Sequence, residues 1–490
     1  MKFLVLCLIA LIHQSASQSP QASCQFENSI DYTCVLTLTN PNGLNNITEI
    51  EVNHMPNRTN DDVVIVRTSI FSTSRNIPSI ICDTFRNLRS IDMFRTGLTK
   101  IDEDSVSNCK LLELMTVRFN QIADIHPNAF AENAELRTVQ LDANNLTSVP
   151  ENLFENNKKL VEINLSQNGL AVLPKKLLSG LSELRGLFLT HNQISEIYED
   201  TFADATNITS LGLGNNSLTY LPDKIFSSLY NLLDVYLQNN QLMKFNPYWF
   251  QNAKSLRALY LSNNGITYFP EDSFVNFYKL RELMLDRNPI QKLPGKIFAS
   301  LGELTWLDLE NCQLVYLDPS LFLSTYNLWM LKLANNDIYE LPGGVFGSLK
   351  YLATLDMTNN QLQAISSTSF YFHPDLRTVR FGQNQINAVD EKFLDVVNVT
   401  QLNMEQNVCA DGFWNDDSET KELFRTELRV CFENYIEPPQ YCPIGNEYER
   451  ICELEAQTAS LTLENAGIRR DLEGLAARIE QLERLISSSP

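Results

Sequence analysis

The sequence predicts an α/β repeat solenoid, and three regularities predict it. An asparagine, here called the repeat asparagine, recurs every 24 residues from Asn120 to Asn384, with Thr96 and Cys312 at the same position and Asn407 one residue early. Apolar residues precede it by eight, five and three positions and follow it by two and five. A phenylalanine follows it by ten positions in most units. A fixed period of this length indicates a stack of similar short units.

This spacing is the L-x-x-L-x-L-x-x-N/C-x-L pattern of a leucine-rich repeat, and it predicts a horseshoe. Because side chains alternate along a strand, Val139 and Leu141 are expected to point inward and Gln140 outward. Neighbouring strands then pair as a parallel sheet on the concave side. The repeat asparagine is expected to bond backbone groups of adjacent turns, and the phenylalanines to stack on the convex side. A periodic helical protein is the alternative, but it does not explain the recurring L-P-x-x-x-F segment.

The repeats divide the chain into a central stack with different sequences at its two ends. Fourteen clear repeats run from the unit of Thr96 to that of Asn407, after one shorter unit. The ends of such a stack need caps, because each unit contacts only its neighbours. We expect a signal peptide at 1–17, an N-terminal cap at 18–54, leucine-rich repeats at 55–408, a C-terminal cap and linker at 409–450, and a coiled coil at 451–487.

The first residues indicate secretion. Lys2 precedes an apolar run at 3–12, and small residues end near Ser17, as in a secretory signal. No later stretch is apolar for 18 residues, so no further membrane span is expected and the mature chain is expected to be extracellular. The N-x-S/T triplets predict glycosylation, and Asn164 would carry its glycan on the concave face. The predicted glycosylation sites are Asn46, Asn57, Asn145, Asn164, Asn207, Asn215 and Asn398.

The charge and the absence of catalytic motifs limit the function. The net charge is −21, with no basic cluster in the sequence, so nucleic acid and anionic membranes are not expected partners. No nucleophile, metalloprotease, phosphate-binding or dinucleotide-binding motif is present, so neither an enzyme nor a cofactor is expected. The alternative is a glycoside hydrolase, for which a solvated acidic patch is the preferred explanation. Its carboxylates would be Glu282, Asp286, Asp308 and Glu310.

The cysteines predict disulfide caps and one free thiol. Nine cysteines remain once Cys7 leaves with the signal, so one is unpaired. Cys312 is the expected free one, because its position points into the core. Metal binding is the alternative, but there is no C-x-x-C pair and no histidine at ligand spacing. The expected pairs are Cys24 with Cys34, Cys82 with Cys109, and Cys409 with Cys431, while Cys442 and Cys452 either close a small loop or join two chains.

The outward strand positions predict a protein-binding surface on the concave face. The residue between the two strand leucines is apolar or aromatic over several successive units, and large residues adjoin it on the next outward column. Aromatic residues of this kind form interface centres, because they bury much area and lose little rotamer entropy. The alternative is that they pack on one another or face a glycan. The predicted partner-binding residues are Phe188, Tyr236, Tyr260, Met284, Trp306 and Met330.

The C-terminal segment predicts a dimer. After Pro438 and Pro439, apolar residues recur at alternating gaps of three and four, which indicates a coiled coil. Asn465 at a core position favours a parallel two-stranded coil, either a homodimer or a related heterodimer. An amphipathic helix folded back onto the solenoid is the alternative. The predicted dimer seam is Leu454, Leu461, Asn465, Ile468, Leu472, Leu475, Ile479 and Leu482.

These features resemble those of a known group. The segment from Cys24 to Cys34, the repeats, and the exit from Asn407 through Cys431 to Tyr435 resemble secreted leucine-rich repeat proteins of flies and mosquitoes. The coiled coil makes the chain most similar to the mosquito leucine-rich immune proteins, although its coiled coil is one short segment and an adjacent double cysteine is absent. The resemblance implies a dimer that holds a complement-like thioester protein in insect innate immunity. The alternatives are an adhesion or matrix ligand in development and a structural matrix component.

Overall fold

The computed structural model describes residues 21–27, 32–39, 47, 49–69, 72–371, 373–414 and 420–436. Nineteen strands of this part of the chain form one sheet. They are Gln21–Glu27, Thr33–Thr39, Glu51–Val52, Ile65–Thr68, Ser90–Asp92, Leu114–Thr116, Thr138–Gln140, Glu162–Asn164, Gly186–Phe188, Ser210–Gly212, Asp234–Tyr236, Ala258–Tyr260, Glu282–Met284, Trp306–Asp308, Met330–Lys332, Thr354–Asp356, Thr378–Arg380, Gln401–Asn403 and Phe413–Trp414.

The repeat strands pair in parallel with a constant register, so equivalent residues of successive units are direct neighbours. Leu259, for example, pairs with Val235 on one side and with Leu283 on the other. Outside this sheet, the described residues contain two further strand pairs, on the convex segments that connect the repeat strands, and several short helices. The pairs are Lys100–Ile101 with Asp124–Ile125 and Ala364–Ile365 with Ala388–Val389. The helices are Ile80–Thr84, Phe393–Val396, Thr420–Glu427 and Arg429–Glu433, with 3-10 turns at Asn60–Asp62, Pro247–Phe250 and Ser367–Ser369.

Disulfides lie near both ends of the stack. Gln21–Glu27 and Thr33–Thr39 form an antiparallel hairpin that carries a disulfide, and a second disulfide joins consecutive units on the return side. A third ties the last repeat to the C-terminal helices. The bonded pairs are Cys24 with Cys34, Cys82 with Cys109, and Cys409 with Cys431. The prediction of a leucine-rich repeat solenoid of 24-residue units with disulfides near both ends is therefore confirmed.

Several predictions concern residues that the structure does not describe. The signal peptide at 1–17, the cysteines Cys442 and Cys452, and the coiled coil at 451–487 with its whole dimer seam lie outside the described residues. Within the part that the structure describes, no helix is long and apolar enough to cross a membrane.

The repeat asparagines bind the backbone of two adjacent units. Asn264 donates from Nδ2 to the carbonyl oxygens of Leu237 (3.1 Å) and Leu261 (3.0 Å), and its Oδ1 accepts from the backbone N–H of Leu242 (3.0 Å). At the same position, the Cys312 thiol contacts the Leu285 carbonyl oxygen at 3.3 Å. Cys312 is the unpaired cysteine among those described, and burial raises the pKa of its thiol to about 12. It therefore replaces an asparagine in the core rather than offering a reactive thiolate.

The convex interior contains the expected phenylalanine spine. These side chains are at most about 1% exposed, and successive rings lie within 6.3 Å of each other through much of the stack. Burying a phenylalanine contributes roughly 1.5–3 kcal/mol, so the spine is a major source of stability. The spine residues are Phe130, Phe154, Phe202, Phe226, Phe250, Phe274, Phe298, Phe322, Phe346 and Phe370.

A second asparagine ladder, which the sequence analysis missed, supports the convex side of the early repeats. Asn133 donates to the carbonyl oxygens of Val106 and Cys109, and Asn157 repeats this pattern one unit later. Both side chains are fully buried. The next units have Leu181 and Ala205 there, so the solenoid changes from a polar to an apolar interior at this position.

Candidate functional site

The sheet register brings the predicted concave residues into one continuous row. Phe188 pairs with Gly212, Gly212 with Tyr236, Tyr236 with Tyr260, and Tyr260 with Met284. On the neighbouring outward column, Glu282 pairs with Trp306 and Trp306 with Met330. Together these positions form what we call the concave patch, which comprises Phe188, Tyr236, Tyr260, Met284, Trp306 and Met330.

Phe188 lies flat against the sheet because its neighbours are glycines. A Cβ at Gly212 would lie 3.3 Å from the ring of Phe188 and 3.0 Å from the Thr190 methyl, and a Cβ at Gly186 would lie 3.1 Å from the same ring. The two glycines therefore provide the space that the ring occupies. The half-buried Phe188 ring presents a fixed apolar surface at one end of the patch.

Tyr236 and Tyr260 form a stacked pair in the middle of the patch. Their ring centroids are 4.8 Å apart and the planes differ by 11°. The Tyr260 hydroxyl donates a hydrogen bond to the Glu282 carboxylate. Burial, followed by this hydrogen bond, raises the pKa of Tyr260 far above its usual value, so the hydroxyl remains a neutral donor. Both side chains are half-buried, and the pair is a rigid aromatic surface rather than two freely rotating rings.

Met284 differs from the expectation of an exposed contact residue. It is only 5% exposed, between Tyr260 on one strand and Asp308 on the next. Side chains of parallel strands are about 4.8 Å apart, so large neighbours on the inner side of a curved sheet cover a residue between them. Met284 is therefore almost fully covered, and this side chain supports the patch from beneath.

Three carboxylates beside the patch, Asp286, Asp308 and Glu310, have partners. Lys332 Nζ lies 3.2 Å from Asp308 Oδ2 and 3.8 Å from Glu310 Oε1, while Asp286 accepts a hydrogen bond from the Ser262 hydroxyl. Burial raises the pKa of Asp308, and burial together with the charge of Asp308 raises the pKa of Glu310.

The Lys332 ammonium is held in turn by Asp308 and Glu310. Burial alone would lower the pKa of Lys332, but Asp308 and Glu310 raise it, so Lys332 stays charged. Among the described residues, no group of three His, Cys, Asp or Glu side chains could hold a metal ion. These carboxylates and Lys332 therefore form a network of paired charges beside the aromatic row.

Trp306 and Met330 extend the patch toward this charged group. Lys332 Nζ lies 5.8 Å from the centroid of the Trp306 ring, and both Trp306 and Met330 are half-buried. The indole Nε1 of Trp306 is buried and has no hydrogen-bond partner among the described residues. An unpaired buried donor is unfavourable, so a partner that accepts from this N–H would gain free energy.

A second aromatic group lies at the N-terminal end of the concave side and was missed by the sequence analysis. Phe94 and Phe119 are 44% and 38% exposed and pack edge to face at 5.4 Å. The Arg95 guanidinium lies 5.4 Å from one ring and 5.5 Å from the other. These two phenylalanines occupy the two positions that immediately precede the repeat-asparagine position. Those positions lie beyond the strand residue between the two leucines, from which the concave surface was predicted.

The predicted glycosylation sites differ in exposure. Asn164 lies on the concave strand Glu162–Asn164, where its Nδ2 donates to Asp142 at 3.2 Å and its Oδ1 accepts from the Ser166 N–H at 3.0 Å. Asn46 lies outside the described residues. The exposed sites are Asn57, Asn145 and Asn207, and the half-buried ones are Asn164, Asn215 and Asn398.

The sequence comparisons agree with this geometry. The family model described as "Leucine rich repeat" matches residues 86–146, 134–194, 206–266, 255–314 and 326–386, which together cover more than half of the chain. No curated protein matches the chain significantly.

Several solved structures share the fold. A leucine-rich repeat protein of Leptospira interrogans superposes with a TM-score of 0.65 at 22% identity, covering 79% of this chain and 92% of that one. A chain of the Drosophila Toll–Spatzle complex, in glycosylated form, gives 0.63 at 24% identity, covering 71% of this chain and 48% of that one. A chain of the TLR13–ssRNA13 complex gives 0.54 at 21% identity, covering 70% and 47%. The chain thus spans about half the length of the Toll and TLR13 chains.

Proposed function

Because the chain belongs to the leucine-rich repeat family, we propose that it is a non-enzymatic binding protein whose concave face holds a protein partner. The observation that carries this proposal is the concave patch. It crosses seven adjacent strands, a distance of about 29 Å at about 4.8 Å per strand. Rigid aromatic side chains beside a paired charge network fit the centre and rim of a protein interface.

The expected setting is extracellular. Three disulfides are typical of an oxidising compartment and support secretion. The signal peptide and the glycosylation sites belong to the same proposal. N-terminal sequencing of the mature protein and mass mapping of glycopeptides test both, and a mature chain that retains residues 1–17 would contradict secretion through this signal.

The partner that we propose is a complement-like thioester protein of insect innate immunity. The support is the resemblance of the cap and coiled-coil sequences to the mosquito immune group. The structure of the Drosophila Toll–Spatzle complex is described as a hub in development and innate immunity, and its similarity to this chain concerns the fold alone. An adhesion or matrix ligand in development is the second candidate. Identification of the main protein bound from insect body fluid distinguishes the two.

Replacing the stacked tyrosines tests the concave patch. The double variant Tyr236→Ala/Tyr260→Ala is expected to weaken partner binding by about 2 kcal/mol or more, because it removes the central aromatic surface. The matched control is Tyr220→Ala/Tyr268→Ala, whose side chains are 54% and 60% exposed and lie outside the patch. Affinity is measured by titration calorimetry and folding by thermal unfolding. Unchanged affinity in the first variant, with unchanged stability, would exclude the patch.

Dimerisation through the predicted coiled coil is a separate part of the proposal. Its support is the heptad pattern of residues 451–487, with the dimer seam given above. Deleting 451–490 is expected to convert a sedimenting dimer into a monomer, while Asn465→Leu should tighten association and relax the choice of oligomer. A dimer that survives the deletion would contradict this assignment. A dimer lost only on reduction would show that cysteines hold it.

A further inference from the structure

One flank of the solenoid is basic although the chain as a whole is strongly acidic. The flank comprises the positions 14, 15 and 17 residues after the repeat-asparagine position, where the chain turns from the convex side into the concave strand. From the unit that contains Arg86 to the one that contains Arg377, these positions hold 13 basic and 5 acidic residues, against 38 and 59 in the whole chain. We call these positions the basic flank. Its basic residues are Arg86, Arg89, Lys110, Arg137, Lys158, Lys159, Arg185, Lys254, Arg257, Lys279, Arg281, Lys350 and Arg377.

A backbone ladder aligns these positions along the solenoid. The N–H of Arg281 donates to the carbonyl oxygen of Arg257 at 2.8 Å, and the same bond joins Arg185 to Val161 and Val161 to Arg137. Successive units are therefore about 4.8 Å apart along a straight row. A sequence scan misses this flank because its basic residues are scattered along the chain and only the 24-residue period brings them together.

Most of these charges are available to a ligand. Twelve of the thirteen side chains are exposed, and Lys159 is half-buried. Four of them form ion pairs, namely Arg89, Lys110, Lys159 and Arg281. The other nine make no ion pair with any described residue, although Lys158 donates a hydrogen bond to the Ser179 carbonyl oxygen at 2.9 Å. An external anion can therefore pair with these nine without breaking an internal ion pair.

Flat aromatic rings alternate with the charges. The first flank position, 14 residues after the repeat-asparagine position, holds a tyrosine in every second unit of the central repeats. These are Tyr230, Tyr278 and Tyr326, which are 60%, 55% and 50% exposed. Trp329 and Tyr351 add rings that are 53% and 56% exposed. A surface that combines arginines, lysines and open rings can pair with anionic groups and pack against the apolar faces of sugars.

We propose that the basic flank binds a linear sulfated polysaccharide. Arginine holds planar anionic groups in bidentate fashion, and the row of charges along the solenoid axis fits a linear polymer better than a compact anion. In the extracellular setting proposed above, which the disulfides support, sulfated chains are the expected linear polyanions. Single-stranded RNA fits less well, because rings about 10 Å apart, two strand spacings, do not match stacking on successive bases.

The central part of the flank is the best place to test the proposal. Lys254 and Arg257 lie in the unit between those of Tyr230 and Tyr278, and Lys279 and Arg281 lie in the same unit as Tyr278. Asn207, a predicted glycosylation site, lies on the same flank two units before Lys254, so its attachment point is about 10 Å from this central group.

The test compares two fourfold alanine variants of the full-length protein. One replaces Lys254, Arg257, Lys279 and Arg281. The control removes the same charge from another part of the surface, by replacing four exposed lysines that lie outside the basic flank. These control residues are Lys224, Lys244, Lys292 and Lys296.

Binding of a heparin octasaccharide is measured by titration calorimetry at about 0.15 M salt. The flank variant is expected to bind about tenfold more weakly or worse, and the control within about twofold of the original protein. Affinity should fall as salt rises, and the desulfated octasaccharide should not bind. If the flank variant unfolds at a lower temperature, the fourfold glutamine variant, which keeps long side chains over the surface, takes its place.

Three outcomes would overturn the proposal. They are the absence of octasaccharide binding to the original protein, an equal loss in both variants, and tighter binding of an oligouridylate of the same length than of heparin. The proposal is independent of the concave patch. Tyr236→Ala/Tyr260→Ala should therefore keep full heparin affinity even where it loses the protein partner.

Discussion

The convex interior and the concave face of this solenoid are built from the same 24-residue unit, but the repeat constrains them differently. On the convex side, ten units carry a buried phenylalanine at the same position. On the concave side, successive units present Phe188, Gly212, Tyr236, Tyr260, Met284 and then acidic and basic residues. An interior ring must fit a closed space between the units before and after it, whereas an outward residue is limited only by its neighbours on the sheet surface. The positions that vary are therefore the ones free to determine a ligand.

Removing a ring from the convex spine should have the largest effect on stability. Phe250 lies between Phe226 and Phe277, with ring centroids 5.2 Å and 5.8 Å away. Phe250→Ala is expected to lower the free energy of unfolding by about 3–5 kcal/mol, because it leaves a cavity that the two neighbouring units cannot fill. Urea unfolding measures the change. The matched concave variant Tyr236→Ala should lose much less, and equal losses would contradict the distinction between the two sides.

Removing a repeat asparagine should have the next largest effect. Asn264→Ala leaves the Leu242 N–H without its acceptor. The carbonyl oxygens of Leu237 and Leu261 lose one of two donors, because the amides of Asn240 and Asn288 still bind them. An unsatisfied buried group costs about 1–3 kcal/mol, which sets the expected loss. Cys312→Ala is the control, because its thiol makes only weak contacts, at 3.3 Å and 3.5 Å, and should lose less. A larger loss at Cys312 than at Asn264 would show that filling the position matters more than its hydrogen bonds.

The sequence predicted most of what the period controls. The strand positions, the phenylalanine spine and the buried repeat asparagines follow from spacing alone, because each has a fixed place in every unit. The same logic placed the free Cys312 in the core, where an asparagine position points inward. It also identified which concave residues are neighbours, since a constant register makes equivalent positions adjacent.

The sequence did not predict how neighbouring side chains share space. Met284 is buried because Tyr260 and Asp308 lie on either side of it, and Phe188 lies flat because Gly186 and Gly212 leave room. Both outcomes depend on the side-chain rotamers of residues on three adjacent strands. The 24-residue period does not specify those rotamers. The basic flank was missed for a different reason, because net charge was considered along the chain rather than by position within the unit.

The smallest predicted effect on the free energy of unfolding concerns His373, a polar side chain in the interior of the solenoid. It occupies the position at which the preceding unit carries Leu349 and the following unit Val397, and it is 1% exposed. Its Nε2 lies 2.9 Å from the carbonyl oxygen of Phe346, so it is the protonated nitrogen, while Nδ1 is buried with no partner among the described residues. Burial lowers the pKa of His373 below its usual value of 6.5 and outweighs the nearby backbone groups of Phe346 and Phe370, which would raise it.

A lowered folded-state pKa means that the unfolded chain binds the proton more readily, so the contribution of His373 is complete above about pH 6.5 and is lost as the pH falls below it. The variant His373→Leu should therefore show a smaller loss of unfolding free energy between about pH 7.5 and pH 5.5 than the original protein. The Phe346 carbonyl oxygen stays paired in the variant, because it also accepts from the N–H of Leu349 at 2.9 Å. The difference between the two urea-unfolding profiles isolates His373 from the other titrating groups. Identical pH dependence in the two proteins would mean that the buried imidazole binds a proton as readily in the folded state as in the unfolded chain, which would contradict an interior that excludes unpaired charge.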